Sequence, residues 1–166
     1  MILPFSTQFK NGTPTYFIDK IWHSITINGL VTNGKKEIEY ADLFFDKLGY
    51  YWDGCLEFSQ RAPKPHTIRE DIHDRWHEGC LIHPVVFNRS KNQFQFAPTL
   101  VCKSVQKIEI FEKDCLHFMK IDGRSLNWQE VKILAKNDGF KSITQFFEWF
   151  NKDFTGKIIH WTKLKY

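Results

Sequence analysis

The chain has 166 residues, 42% of them hydrophobic and 25% charged, with a formal charge of +4. That is enough to bury the core of one domain without disulfide or metal staples, and too apolar for a disordered chain. It has no apolar run long enough to span a bilayer, and its slight basic excess, interspersed with acidic residues, permits a nucleic-acid partner without demanding one.

Met1 to Phe5 reads as a short opening strand. Asn11-Gly12-Thr13 is a turn, with Thr13 as N-cap and Pro14 at the first helical position. Phe17, Ile18, Ile21, Trp22 and Ile25 recur at helical spacing, which predicts a helix over Pro14 to Ser24 with Trp22 in the core. Asn28-Gly29 and Asn33-Gly34 are turn dipeptides, and Glu37 to Tyr40 reads as a short strand. Tyr40 to Leu48 has helical periodicity that stops near Gly49, and Tyr50-Tyr51-Trp52-Asp53-Gly54 clusters aromatic rings beside a turn.

Asp71 to Glu78 reads as a short helix ending at Gly79. Cys80 to Phe87 is a strand with a break expected at Pro84, and Asn88 to Asn92 is a polar loop. Strands follow at Phe94 to Phe96, Leu100 to Lys103, Val105 to Phe111 and Cys115 to Ile121, the last turning at Asp122-Gly123-Arg124. Asn127 caps a helix through Ala135 with Trp128, Val131, Leu134 and Ala135 inward, and Lys136 to Gly139 ends it. Ser142 caps a helix with an apolar stripe of Ile143, Phe146, Phe147 and Phe150. Thr155-Gly156 turns the chain into a last strand, Lys157 to Trp161.

The stretch richest in chemistry is Lys64-Pro65-His66-Thr67-Ile68-Arg69-Glu70-Asp71. Pro65 fixes its own φ and biases Lys64 toward extended backbone. A strand from His66 then sends Thr67 and Arg69 to one side and Ile68 to the other, so Ile68 anchors the core and the polar pair is presented to a ligand. The plainer reading is a strand edge with solvated charges.

Lys64-x-x-Thr67-x-Arg69, followed by Arg75-Trp76-His77-Glu78-Gly79, resembles the signature of the ASCH superfamily. The Leu134 to Phe140 turn is similar to that family's Ala-x-x-Glu-Gly-Phe turn, and Gly156 to Trp161 to its last strand. The resemblance implies an α+β fold, a single PUA-like β-barrel with flanking helices, interrupted by an insertion at about residues 26–60. It also implies recognition of RNA or a modified nucleoside, with no cofactor. In one branch of the family it implies amide hydrolysis of N4-acetylcytidine, and in another ribonuclease activity.

Carried onto this chain, the hydrolytic residues are Lys64, Thr67 and Asp138. A lysine in a dry pocket has a lowered pKa and can take the threonine proton, while the carboxylate steers a proton to the leaving amine. Asp138 stands where that branch has glutamate, one methylene longer, or about 1.5 Å of reach. The same residues serve binding: Lys64 and Arg69 toward phosphate or a base edge, Asp138 toward an exocyclic amine, with His66 and Arg75 beside them. Tyr51, Trp52 or Trp76 can supply a stacking face, although Trp76 fits a core position better. Ribonuclease chemistry can be assigned to Lys64, Arg69 and His66, but nothing in the spacing selects it. A protein-interaction module that kept the fold and lost the ligand is a further alternative.

His73 and His77 form an i, i+4 pair near Cys80 and His83, but no familiar ligand set is completed and no metal is expected. The four cysteines, Cys55, Cys80, Cys102 and Cys115, form no Cys-x-x-Cys pair. With no signal-peptide pattern at the start, they suggest reduced thiols in a cytoplasmic protein without a membrane partner.

Overall fold

The computed structural model describes residues 1–31, 35–52, 62–114 and 116–166, so Asn33-Gly34, Asp53-Gly54, Cys55 and Cys115 lie outside the described residues. The fold is mixed α+β, with helices α1 (Phe17–Ile27), α2 (Lys35–Leu48), α3 (Trp128–Asn137) and α4 (Ile143–Trp149). The strands are β1 (Ile2–Pro4), β2 (His66–Arg69), β3 (Leu81–Val86), β4 (Phe94–Gln95), β5 (Leu100–Val101), β6 (Ser104–Lys113), β7 (Leu116–Ile121), β8 (Arg124–Ser125) and β9 (Phe154–His160). They fall into two sheets, and no barrel closes among the described residues. Of the fold expected from the resemblance, the mixed α+β class is present; in the larger sheet the outer strands β2 and β8 pair with β9 and β7 and not with each other. No helix among the described residues is long and apolar enough to cross a membrane.

Contacts group the chain into two compact units. The first, Met1–Lys64 with Leu81–Leu100, carries a sheet in which β1 runs parallel to β3 and β4 antiparallel to it. β3 runs unbroken through Pro84, whose carbonyl accepts from the Phe96 amide at 3.2 Å. Helix α1 buries Phe17, Ile18, Ile21, Trp22 and Ile25, as its periodicity predicts, and the Trp22 indole donates to the Phe96 carbonyl at 2.9 Å. Its start is later than expected. Thr13 bonds back to Asn11 and Pro14 pairs with Gln8, so the chain enters the helix only through Tyr16, in left-handed backbone with φ 56°.

The strand expected over Glu37 to Tyr40 is the first half of α2, which runs to Leu48 and ends before Gly49 at φ +78°. Phe44, the buried residue of α2, meets Tyr50, Trp52 and Phe94 edge-on at 5.3–5.6 Å.

The second unit, Pro65–Cys80 with Val101–Tyr166, is a five-stranded antiparallel sheet in the order β2-β9-β6-β7-β8. Strict alternation in β6 puts Ile108 and Ile110 in the core with Met119, Ile121 and Ile158. Asp122 and Gly123, both at positive φ (50° and 82°), make the tight turn into β8 that an Asp-Gly pair favours. Helix α3 starts from a full capping box, Asn127 with Glu130, and buries Val131, Leu134 and Ala135. Trp128, expected inward, is 53% exposed, with its indole nearly parallel to the Phe147 ring at 6.4 Å. Helix α4 rests on the sheet through Phe147 on the His117 ring, at 4.0 Å and nearly parallel, and through Phe150 on Phe154 at 5.0 Å.

Two local expectations fail here for identifiable reasons. Thr155-Gly156 lies inside β9 and not in a turn; Gly156 is needed there because the Arg69 carbonyl and the Phe154 ring leave no room for a Cβ. Residues 71–78 form turns and not a helix. The Asp71 carboxylate takes the Arg75 and Trp76 amides at 3.0 and 2.9 Å, and Asp74 adopts φ 50°, so side-chain capping replaces the helical ladder.

Candidate functional site

The motif forms as its pattern predicts: β2 spans His66–Arg69, with Ile68 fully in the core. Its register on β9 and β6 aligns three cross-strand rows in the second unit. His66 faces His160 and then Ser104, Thr67 faces Ile159 and then Val105, and Arg69 faces Lys157 and then Lys107. Alternation puts the His66 row and the Thr67 row on opposite faces of the sheet.

On the first face lies a buried polar network. His66, fully buried, has Nε2 2.7 Å from the Tyr166 hydroxyl, which also accepts from Asn137 Nδ2 at 2.8 Å. The second ring nitrogen of His66, Nδ1, is directed at Asp138. That nitrogen lies 3.7 Å from Asp138 Oδ1. Asp138 reaches this position as the C-cap of α3, followed by Gly139 at φ +93°. Gln106 clamps the Tyr166 backbone from both sides, accepting from its amide at 2.9 Å and donating to its carbonyl at 3.0 Å, while also bonding Asp122. Burial raises the Tyr166 phenol well above its ordinary range, against the Asn137 bond and with help from the Asp138 charge.

His160 sits beside His66, ring centroids 5.2 Å apart, and neither of its nitrogens has a hydrogen-bond partner among the described residues. Burial, then the Lys165 charge, pushes its imidazole down to about 4 against a pull from Asp122, so it is neutral at pH 7. The hydroxyl of its cross-strand neighbour Ser104 is likewise buried without a partner there.

On the opposite face Thr67 is 1% exposed, and its hydroxyl has no hydrogen-bond partner among the described residues. Arg69 is half-buried and donates to the Ile68 carbonyl at 2.9 Å; burial lowers its pKa, opposed by the charge of Asp138. Lys157 binds Asp71 at 3.2 Å, the Trp76 carbonyl at 2.9 Å, and Asp74. Burial opposes its charge, yet Asp74 and Asp71 raise its pKa overall. Asp71 is lowered although burial pulls it up, because the Trp76 and Arg75 amides and Lys157 all favour the carboxylate.

Of the residues singled out from sequence, His66, Thr67, Arg69, Arg75 and Asp138 belong to the second unit, and Lys64, Tyr51 and Trp52 to the first. His66 and Asp138 are brought together, and Arg69 feels the Asp138 charge. Arg75 is exposed, and Trp76 is buried at 6% exposure, as its core reading expects. In the first unit Lys64 is 1% exposed, donates its amide to the Lys20 carbonyl at 2.9 Å and holds its ammonium 4.6 Å from the Phe17 ring centroid. Trp52 walls a cavity of about 200 Å³ with Phe17, Phe44, Tyr50 and Thr15, whereas Tyr51 is exposed and stacks on Phe45.

His73 and His77 are not on a helix, and no group of three or more His, Cys, Asp or Glu side chains among the described residues is placed to hold a metal ion. The sequence reading missed His160, Tyr166 and Asn137. The alternating pattern before Trp161 was the one available signal for His160. The chain matches no protein-family model, no curated protein and no solved structure.

Proposed function

We propose that the chain is a divergent ASCH-like, PUA-related protein that recognises RNA or a modified nucleoside through its Lys64–Arg69 segment and the Asp138 turn. The observation that carries this reading is burial. A strand edge with solvated charges keeps its polar side chains in water, but Lys64, His66, Thr67 and Asp138 are each at most 3% exposed. Burying such groups costs free energy unless a partner compensates, and the Thr67 hydroxyl has none among the described residues. That hydroxyl can donate to a ring nitrogen or accept from an amine, and Arg69, on the same sheet face, forks onto phosphate or a base edge.

Calorimetric titration with cytidine, N4-acetylcytidine and short RNA tests it. Thr67→Val deletes an unpaired hydroxyl, so the variant should melt like the wild type yet bind at least about tenfold more weakly. Binding unchanged in both Thr67→Val and Arg69→Ala removes the motif from recognition.

The unpartnered hydroxyl also favours a second reading, hydrolysis of an N-acyl cytidine. Thr67 Oγ1 adds to the acetyl carbonyl, its proton passes to the leaving cytidine amine, and the C–N bond breaks. Water then releases acetate from the threonine ester. Acetate release abolished by both Lys64→Ala and Thr67→Ala supports this reading, and its absence in the wild type ends it.

A further inference from the structure

The second unit presents a feature that the motif does not use, on the sheet face shared by Thr67 and Arg69. Phe111 of β6 and Phe118 of β7 are direct cross-strand partners and lie outward, opposite the core row of Ile110 and Met119. Their rings stack at 17° with centroids 5.7 Å apart, and Phe118 is 43% exposed. A stacked aromatic pair is ordinarily found buried; here it stands on the open face of a sheet.

Charge selects what covers it. Lys113, Lys120 and Lys107 share this face, with Lys120 Nζ 5.6 Å from the Phe111 centroid. The acid among them is Glu109, 2.7 Å from Lys107. Lysines outnumber the carboxylate around the exposed Phe118 and the half-buried Phe111, which suits a polyanion carrying flat apolar groups better than an apolar protein surface. The row Arg69, Lys157, Lys107 crosses the same face, four residues or about 13 Å along β6 from Phe111. The Lys157 charge in that row is held by Asp71 and Asp74.

We propose that this sheet face is a stacking platform for single-stranded RNA, with Phe111 and Phe118 under the bases and Lys107, Lys113 and Lys120 along the phosphates. It rests on the reading of the chain as an RNA-recognising protein and adds a polymer surface distinct from the Thr67–Arg69 segment. Stacking is tolerant of base identity, so recognition here depends on strandedness and length more than on sequence.

Fluorescence anisotropy with a labelled twelve-nucleotide single-stranded RNA tests the proposal, beside the same RNA as a duplex. The single strand should bind more tightly than the duplex. Phe118→Ala should weaken binding about tenfold, a change expected from one lost stacking contact at an exposed position that does not disturb folding. Lys120→Gln should lower the salt slope by about one phosphate contact. Mononucleoside binding measured on the same variants should stay at the wild-type value.

Equal affinity for duplex and single strand, or an unchanged Phe118→Ala, overturns the platform. So does self-association of the wild type that Phe118→Ala abolishes, since a second copy of the chain then covers the face. Nucleoside binding that depends on Thr67, with no RNA binding at all, sinks the platform and leaves the motif reading standing. Loss of nucleoside binding with RNA binding retained does the reverse.

Discussion

Gly156→Ala probes the placement of the motif strand without touching any polar group. A Cβ at residue 156 lies 2.4 Å from the Arg69 carbonyl oxygen and 2.7 Å from the Phe154 ring. An ordinary contact needs about 1 Å more on the carbonyl side, and that neighbour is backbone held by the β2–β9 ladder, so the last residue of β2 must move. Overpacking of this kind costs roughly 1–3 kcal/mol, and the upper end applies where backbone and not a side-chain tip has to yield. Urea unfolding followed by circular dichroism should therefore show a loss of about 3 kcal/mol, with weaker nucleoside binding because Arg69 shifts. Gly123→Ala is the control: nothing lies within 4 Å, so only its φ of +82° is penalised, by about 1 kcal/mol. A Gly156→Ala protein within about 0.5 kcal/mol of wild type refutes the close approach of β9 to the end of β2.

Three further outcomes follow from the second unit. Asn127→Ala removes the capping box of α3 and should cost about 1 kcal/mol in urea unfolding; no loss means that the cap is satisfied otherwise. Asp71→Ala strips the Arg75 and Trp76 amides and Lys157 of their acceptor, so amide hydrogen exchange in residues 70–79 should accelerate at least tenfold; unchanged protection argues against the turn as described. For His160, the unfolded chain takes a proton near pH 6.5 that the folded chain refuses until about pH 4. Stability from this group is therefore full above pH 6.5 and is lost as the pH falls toward 4, by up to about 3 kcal/mol. His160→Phe should flatten that part of the pH profile, and parallel acid losses in variant and wild type contradict it.

Much of the fold was legible because local signals agreed with burial. The period of Phe17 to Ile25, the alternation of Lys107 to Ile110, the Asn127 and Ser142 caps and the Asp122-Gly123 turn each state their structure in a few residues. Failures occurred where a distant group decides. The helical run of α2 continues back through Glu37 to Tyr40, which four residues alone do not reveal. Asp71 takes two amides that a helix at residues 71–78 would use, and Gly156 reads as a turn residue until the Arg69 carbonyl is seen beside it.

The candidate site divides in the same way. His66, Thr67 and Arg69 are visible as a motif within one short strand. The company of His66 with His160, Tyr166 and Asn137 is set by the register of β2 on β9 and by the Gln106 clamp, neither of which short-range pattern encodes. Nor does pattern tell a solvated motif from a buried one.

The central claim is that the buried polar groups of the Lys64–Arg69 segment exist for a nucleoside or RNA ligand. Its most direct test is titration of the purified protein with N4-acetylcytidine and short RNA, beside Lys64→Ala and Thr67→Ala. The account predicts binding by the wild type that falls at least about tenfold in Thr67→Ala and equally in the isosteric Thr67→Val, whose melting temperature holds. A wild type that binds neither ligand, or a Thr67→Ala protein that binds as well as wild type, contradicts it.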